Sequence, residues 1–237
     1  MTVAGCVLLS SCSTLKSPKG FEYSTGEDKV FVDSGILYYL GEISGTNNNK
    51  AFKAYQENSI SSIYISSPGG LVSDGISLAR WIDEKELPLK VGRVCASSCA
   101  NYVLVAAKEV YLKPDSMLIW HGSSYQKNIN DLVKKGKGFA VKWRRIEDDF
   151  FNDYNVSKLV TVCGFHDVGV LDNILSYFGI SEIAGFTYSI DALKKFGFDN
   201  LNVDSGNWEP INRFLGKRVI VSNYCANPKD RINEVRR

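Results

Sequence analysis

From Ser59 to Trp120 the sequence alternates between short apolar runs and longer segments with helical spacing, and this alternation limits the fold more than any other feature. It predicts a buried strand over Ser59 to Ile65, an amphipathic helix over about Ser73 to Glu86, and a second strand over Leu89 to Val94. Pro88 ends the helix. Such alternation indicates successive right-handed βαβ units, and therefore a single α/β domain with a parallel or mixed sheet.

The same pattern extends to both sides of this unit. Further strands are predicted at Phe31-Val32, Ile36 to Leu40, Val110 to Leu112, Met117 to Trp120 and near Val219 to Val221. Helices are predicted over Ala51 to Glu57, on a face formed by Ala100, Val103, Leu104 and Ala107, over about Asn128 to Asp153, over Asp167 to Phe178, and over Ile190 to Phe196. Asn47 to Asn49 is predicted to be a turn, and the chain after Asn200 is expected to be irregular before its last strand.

The composition is that of a globular domain. The 237 residues are 44% hydrophobic and 23% charged, with 28 Lys and Arg against 26 Asp and Glu. These values exclude a disordered or fibrous chain and a multi-span membrane protein. The formal charge of +2 gives no electrostatic reason to expect a nucleic-acid partner, so we expect none.

The first residues resemble a bacterial lipoprotein signal, although the basic segment that opens such signals is missing. Met1 to Ser11 carries no charge, and its apolar run is shorter than the about 20 residues of a membrane span. Small residues precede Cys12, as at the sites where lipoproteins are cut and lipidated. The resemblance implies a signal over 1–11, a lipid anchor on Cys12, a tether over 12–29, and a periplasmic location at the outer membrane. A disordered or buried apolar N-terminus is the alternative.

Four cysteines lie in the predicted domain: Cys95, Cys99, Cys163 and Cys225. In an exported protein they allow three disulfide connectivities, between which the sequence does not choose. Buried free thiols are the alternative. Cys95 and Cys99 have no histidine beside them, so we expect no metal site.

Three groups of residues follow predicted strands, at the edge of the sheet where α/β proteins bind ligands. Pro68-Gly69-Gly70 lets backbone N–H groups approach a ligand closely. Ser97 and Ser98 begin an apolar helix, where free N–H groups and the helix dipole can stabilise an oxyanion. His121 ends the strand that starts at Met117. Each group also has a structural interpretation: a tight turn, an N-cap and a structural histidine.

The order of these groups resembles the Clp protease family and its exported relatives in the crotonase superfamily. The resemblance covers about Val30 to Gly197, and it includes Tyr39 to Ile43, Lys113 to His121 and Tyr188 to Gly197. It implies a ClpP/crotonase-like domain of repeated βαβ units over 30–200, followed by a C-terminal extension over 201–237 that packs on the domain.

The resemblance also implies an exported serine hydrolase, expected to be a peptidase that acts on peptides or proteins and needs no cofactor. Within Cys95 to Ala100 the family motif assigns the nucleophile to Ser97, and a shift of one residue would assign it to Ser98. His121 would be the base, and the N–H groups of Ser98 and of Gly69 or Gly70 would hold the oxyanion.

The family's third catalytic residue, an aspartate, would fall near Gly185, where this chain has no acid. Glu182, Asp167 or Asp172 could replace it, or Ser97 and His121 could act as a dyad.

This missing acid leaves other functions open. A catalytically weak or inactive periplasmic lipoprotein of the same fold could bind an extended peptide by strand addition, as a scaffold. A crotonase-type acyl-CoA enzyme would use the same N–H groups, although an exported enzyme meets little coenzyme A. The resemblance further implies a homo-oligomer formed through the helix after His121, whereas the stripe of Phe139, Trp143 and Phe150 is by itself more typical of a core.

Overall fold

The computed structural model describes residues 28–168, 182–203 and 207–226. Its elements follow in chain order: β1 (Lys29–Asp33), β2 (Ile36–Leu40), α1 (Gly45–Glu57), β3 (Ser62–Ser67), α2 (Val72–Glu84), β4 (Leu89–Ala96), a π-helical turn (Cys99–Val103) that continues as α3 (Leu104–Ala106), β5 (Val110–Leu112), β6 (Met117–Ile119), α4 (Lys127–Lys134), α5 (Gly138–Tyr154), two 3-10 turns (Lys158–Thr161 and Cys163–Asp167), β7 (Ile183–Tyr188), α6 (Ile190–Lys195), β8 (Leu201–Val203), β9 (Arg213–Phe214) and β10 (Lys217–Ser222).

The strands form two sheets. The main sheet has the order β1-β2-β3-β4-β5-β8 and is parallel except for the β1–β2 hairpin. The long strand β4 pairs first with β5, and then, through Val94 to Ala96, with β6. In the smaller sheet, β10 lies parallel to β7 and antiparallel to β9. The mixed α/β class with a mostly parallel sheet, which the alternation predicted, is therefore confirmed.

The main core lies between this sheet and the helices that connect its strands. The apolar residues of the strands and of α2 are almost fully buried, among them Leu37, Ile63, Leu89, Val91 and Ile82. Each such side chain contributes about 1.5–3 kcal/mol to the free energy of unfolding. The core fixes the ends of β3, β4 and β6 side by side, which is where the candidate site lies.

The asparagines that were predicted to form a turn lie inside α1. Ser44 caps this helix, and its Oγ accepts a hydrogen bond from the N–H of Asn47 at 3.3 Å. The buried side chain of Asn48 accepts from the Tyr39 hydroxyl and donates to the carbonyl of Asp74, each at 2.9 Å. The prediction was wrong because these tertiary hydrogen bonds outweigh the weak helix propensity of asparagine.

The helix predicted over Asn128 to Asp153 is two helices, α4 and α5. The chain breaks at Gly136, whose φ of +67° suits a left-handed helix end. In the predicted aromatic stripe, Phe150 is fully buried whereas Phe139 is 63% exposed. Arg144 of α5 is half-buried and donates from Nε to the hydroxyl of Ser124 at 3.0 Å.

Several predictions concern residues outside the described ranges. These are the export signal, Cys12, most of the tether, Asp172, and most of the helix predicted over Asp167 to Phe178. After Asn200, where irregular chain was predicted, β8 joins the main sheet beside β5, and the last strand is present as β10. Within the described residues, the helices are too short or too polar to cross a membrane.

Candidate active site

Ser97 lies at the sharp turn between β4 and the π-helical turn, in a left-handed conformation. Its φ is +55°, which residues other than glycine rarely adopt. Its N–H donates to the carbonyl of Ile119 in β6 at 2.9 Å, and its own carbonyl accepts from the N–H of Asn101 at 2.8 Å. In nucleophile elbows, the same strained strand-to-helix turn presents the hydroxyl of a serine above the sheet.

A disulfide encloses this turn. It joins Cys95 in β4 to Cys99, the first residue of the π-helical turn, and both residues are fully buried. A second disulfide joins Cys163 to Cys225. The structure thus selects one of the three connectivities that the sequence allowed, and it links the strand to the helix across Ser97.

The glycine turn after β3 lies directly against the two serines. At Gly69, where φ is +95°, a Cβ would lie 2.6 Å from the Cβ of Ser97 and 2.9 Å from the backbone nitrogen of Ser98. Only glycine fits this contact, because any side chain would displace the Ser97 turn. The N–H of Gly69 donates to the hydroxyl of Ser67 at 3.0 Å.

Two backbone N–H groups in the described part of these turns are not used in hydrogen bonds. Among the residues that the structure describes, the N–H groups of Gly70 and Ser98 donate to no acceptor. Of the two predicted glycines, Gly70 is therefore the one whose N–H is available, since that of Gly69 is already used. N–H groups beside a nucleophile are the usual donors of an oxyanion hole.

The side chain of Ser98 is less accessible than that of Ser97. Ser98 is buried, whereas Ser97 is partly exposed. Helix α2 packs over Ser98 at Gly75, where a Cβ would lie 2.7 Å from the Cβ of Ser98. This packing favours Ser97 as the nucleophile.

His121 lies two residues beyond Ile119, which pairs with Ala96 in the β4–β6 ladder. The preceding residue, Trp120, exchanges two backbone hydrogen bonds of 2.8 Å with Phe186 in β7, which fixes the end of β6. The imidazole of His121 is exposed, and within the described part of the chain it has no hydrogen bond, with Ser97 or with another residue. The structure therefore brings the backbones of the two predicted catalytic residues to adjacent strand ends and leaves their side chains unpaired.

Buried polar side chains hold the backbone after His121. Asn101 donates from Nδ2 to the carbonyl of Gly122 at 3.0 Å. Glu147 in α5 is fully buried, and it accepts from the N–H of Ser124 at 2.8 Å and from the hydroxyl of Tyr102. Burial raises the pKa of Glu147, while the hydrogen bonds from Ser124 and Tyr102 act in the opposite direction.

The structure explains why position 185 has no acid. Gly185 has φ +152°, and a Cβ there would lie 2.8 Å from Cγ2 of Ile119 and well inside contact distance of the carbonyl oxygen of Trp120. The contact between β6 and β7 thus excludes any side chain. An aspartate at this position is sterically incompatible with the strand pairing that fixes His121.

The two candidate replacements within the described residues are engaged elsewhere. Glu182 is exposed and forms an ion pair with Lys217 at 2.6 Å, which holds the pKa of its carboxyl below the usual range. Asp167 accepts a hydrogen bond from the hydroxyl of Ser222. Neither carboxylate forms an ion pair or a hydrogen bond with His121 among the described residues.

No pattern in the sequence selects Asn101 or Glu147. Asn101 follows the predicted serines within an apolar segment, and Glu147 stands among other charged residues of α5. Glu147 interrupts the apolar face of its helix, and a charged residue in such a position is a signal that could have selected it.

No protein-family model matches the sequence, and no curated protein matches it either. Within the described ranges, no group of His, Cys, Asp or Glu side chains could hold a metal ion.

Proposed function

We propose that this chain is a serine hydrolase of the Clp protease and crotonase type, with Ser97 as nucleophile and His121 as base. The left-handed conformation of Ser97, held between β6 and the glycine turn, is the observation that carries the proposal. Such a conformation costs about 1–3 kcal/mol and persists only where the surrounding structure holds it. Ser34, Glu86, Asn155 and Leu215 also adopt it, so the position of Ser97 against the glycine turn is what distinguishes this residue. The disulfide and the Ile119 carbonyl maintain it here.

The proposed reaction is acyl transfer to Ser97. Its Oγ attacks a peptide carbonyl while His121 takes the hydroxyl proton, and the resulting oxyanion accepts hydrogen bonds from the N–H groups of Gly70 and Ser98. His121 then gives the proton to the leaving amine, and water hydrolyses the acyl-enzyme by the same route. Each oxyanion donor accounts for about 100- to 1000-fold in rate.

The exposed ring of His121 must turn toward Ser97 for this reaction. Catalytic hydrogen bonds are often long or poorly aligned before substrate binds and shorten in the complex. The backbone beside His121 is fixed by the Trp120–Phe186 pair and by the bond from Asn101 to Gly122, so the proposed mechanism requires a rotation of the His121 side chain alone.

Two exposed apolar side chains support a peptide substrate. Leu71 directly follows the glycine turn and is 68% exposed. Phe165 is also exposed, and its Cζ would lie 3.3 Å from a Cβ placed on Gly122, next to His121. In the proposed enzyme these residues contact apolar side chains on the two sides of the scissile bond, as in other peptide-binding grooves.

We further propose that the protein is exported and held at the outer membrane through lipidated Cys12. The two disulfides support export, because disulfides persist in oxidising compartments and are rare in the cytosol.

A peptide-binding lipoprotein of the same fold is the second candidate. Within the described residues, the side chains of Ser97 and His121 form no hydrogen bond and Gly185 excludes an acid, and both observations favour this second candidate. Such a protein would hold an extended peptide without forming a covalent intermediate.

Covalent labelling separates these two functions. We expect a fluorophosphonate to modify the purified protein once, with tandem mass spectrometry placing the adduct on Ser97 rather than Ser98. Ser97→Ala and His121→Ala should abolish the adduct, while Ser73→Ala, which changes an exposed serine of α2, should be labelled like the parent protein. Labelling that persists in the first two variants, or no labelling of the parent protein, would contradict the proposed function.

The two disulfides should differ in their effects on labelling and on stability. Replacing Cys95 and Cys99 with Ala should slow the labelling of Ser97 on the order of 10- to 100-fold, because the turn loses its covalent constraint. The pairs span 4 and 62 residues, so loop entropy predicts losses of about 2 kcal/mol for Cys95–Cys99 and about 4 kcal/mol for Cys163–Cys225. The control variant, with Ala at Cys163 and Cys225, should therefore be less stable than the variant with Ala at Cys95 and Cys99. Its Ser97 should nevertheless be labelled faster. The reverse order of labelling rates would show that the first disulfide has no role at the site.

A further inference from the structure

We propose that Asn101 orients His121 in place of the missing acid, with its Oδ1 accepting a hydrogen bond from the imidazole Nδ1–H. Asn101 is then a positioning residue, because it acts on the reaction through His121. This inference rests on the proposed function of Ser97 and His121, and it assigns the third member of their site.

Asn101 is bonded to both parts of the site. Its backbone N–H donates to the carbonyl of Ser97 at 2.8 Å, and its Nδ2 donates to the carbonyl of Gly122, the residue after His121, at 3.0 Å. The side chain is 4% exposed. Asn101 therefore couples the turn that holds the nucleophile to the backbone that holds the base.

One atom of this side chain remains without a partner. Oδ1 of Asn101 is fully buried and accepts no hydrogen bond from the residues that the structure describes. Buried polar atoms are nearly always paired. Since the carbonyl of Gly122 can only accept, Nδ2 must face it, and Oδ1 is left to accept from another donor. His121 directly precedes Gly122 in the chain, and its imidazole N–H is the donor that we assign to Oδ1.

The carboxylates near this part of the fold do not take this role. Glu147 is occupied by the N–H of Ser124 and the hydroxyl of Tyr102. Position 185 is closed by the contact of Gly185 with Trp120. A neutral amide thus replaces the carboxylate at the histidine.

An amide can hold the correct tautomer only if its oxygen faces the imidazole. In a triad the Nδ1–H of the histidine is bound by the third residue and Nε2 faces the nucleophile; an asparagine that presents its NH₂ group instead enforces the wrong tautomer. The bond from Nδ2 of Asn101 to Gly122 prevents that error. The amide cannot neutralise the imidazolium that forms, so a slower reaction than with an acid is expected.

Ser98 and Trp143 offer different partners for the same atom. The Ser98 hydroxyl and the Trp143 indole N–H are buried and also lack a partner among the described residues. Ser98 precedes Asn101 by one helical turn, and Trp143 and the Asn101 side chain both lie at the Tyr102 hydroxyl. If either group donates to Oδ1, Asn101 has only a structural role and His121 keeps the tautomer of a free imidazole.

Histidine tautomers can be measured directly because the chain has 2 histidines. In the full chain labelled with ¹⁵N-histidine, at a pH where both rings are neutral, we expect His121 to be the Nδ1–H tautomer and the exposed His166 to serve as reference. Asn101→Leu, which keeps the shape of the side chain, should convert His121 to Nε2–H and slow fluorophosphonate labelling of Ser97 on the order of 100-fold. Asn101→Asp keeps an acceptor and should retain the Nδ1–H tautomer and labelling within about tenfold of the parent protein.

Three outcomes would overturn this inference. The first is an Nε2–H tautomer of His121 in the parent protein, and the second is no effect of Asn101→Leu on the tautomer or on labelling. The third is an Asn101→Asp variant that behaves like Asn101→Leu, because the effect would then come from the lost bond to Gly122. If Asn101→Leu does not fold, the tautomer of His121 in the parent protein and in Asn101→Asp still tests the inference. If Ser97→Ala is not labelled, any of these three outcomes overturns only the role of Asn101 and leaves the proposed function intact. If Ser97→Ala is still labelled, the proposed function itself is contradicted.

Discussion

An aspartate introduced at position 185 should destabilise the protein rather than complete a catalytic triad. Gly185 has a φ of +152°, and its missing side chain leaves room for the Trp120 carbonyl and for Cγ2 of Ile119, which would lie 2.8 Å from a Cβ. Overlap with backbone cannot be relieved by a change of rotamer, so β6 and β7 would separate. We expect Gly185→Asp to lower the free energy of unfolding by about 3 kcal/mol or more, measured by urea denaturation.

The same substitution at Gly138 is a matched control. Gly138 begins α5, and a Cβ there would meet nothing within 4 Å. An acid in the first turn of a helix is favourable, so Gly138→Asp should change the stability by less than about 1 kcal/mol. A Gly185→Asp protein that is as stable as the parent and is labelled faster by a fluorophosphonate would show that position 185 does accept the third catalytic residue.

Glu147→Leu should be the other strongly destabilising substitution. It removes the acceptor of the Ser124 N–H and of the Tyr102 hydroxyl, both of which stay buried. Each unpaired donor costs about 1–3 kcal/mol, so we expect a total loss of about 2–6 kcal/mol in the free energy of unfolding. Asp149→Leu, at an exposed position of the same helix, should change it by less than about 0.5 kcal/mol.

The pH dependence of stability gives an independent test of Glu147. Because burial raises the pKa of this carboxyl above its ordinary value of 4.5, the folded protein retains the proton at pH values where the unfolded chain has lost it. The contribution of Glu147 to stability is therefore fully present below the pKa of the unfolded chain. It is lost as the pH rises through the pKa of the folded protein. Glu147→Gln should remove this decrease, because the amide still accepts from Ser124 and does not ionise. Equal pH profiles for the two proteins would contradict the burial of an ionisable Glu147.

The sequence was informative wherever a local pattern decides the structure. The alternation between Ser59 and Trp120 predicted β3, α2 and β4, because periodicity reports which face of an element is buried. The carboxyl ends of parallel strands lie at the same edge of a sheet. The glycine turn, the two serines and His121 follow β3, β4 and β6, as the predicted strands implied.

Tertiary contacts decided what the sequence did not predict. The left-handed φ of Ser97 depends on the Ile119 carbonyl and on Gly69. Glu147 is buried because its partners come from distant segments. The asparagines of α1 adopt a helix because Tyr39 and Asp74 pair with Asn48. None of these partners lies close enough in sequence to leave a local pattern.

A crystal structure of the protein after reaction with a fluorophosphonate would test the assignment of Ser97 most directly. We expect continuous electron density from Oγ of Ser97 to phosphorus, with the phosphoryl oxygen within hydrogen-bond distance of the N–H groups of Gly70 and Ser98. An adduct on another residue, or a phosphoryl oxygen that contacts neither N–H group, would contradict the assignment.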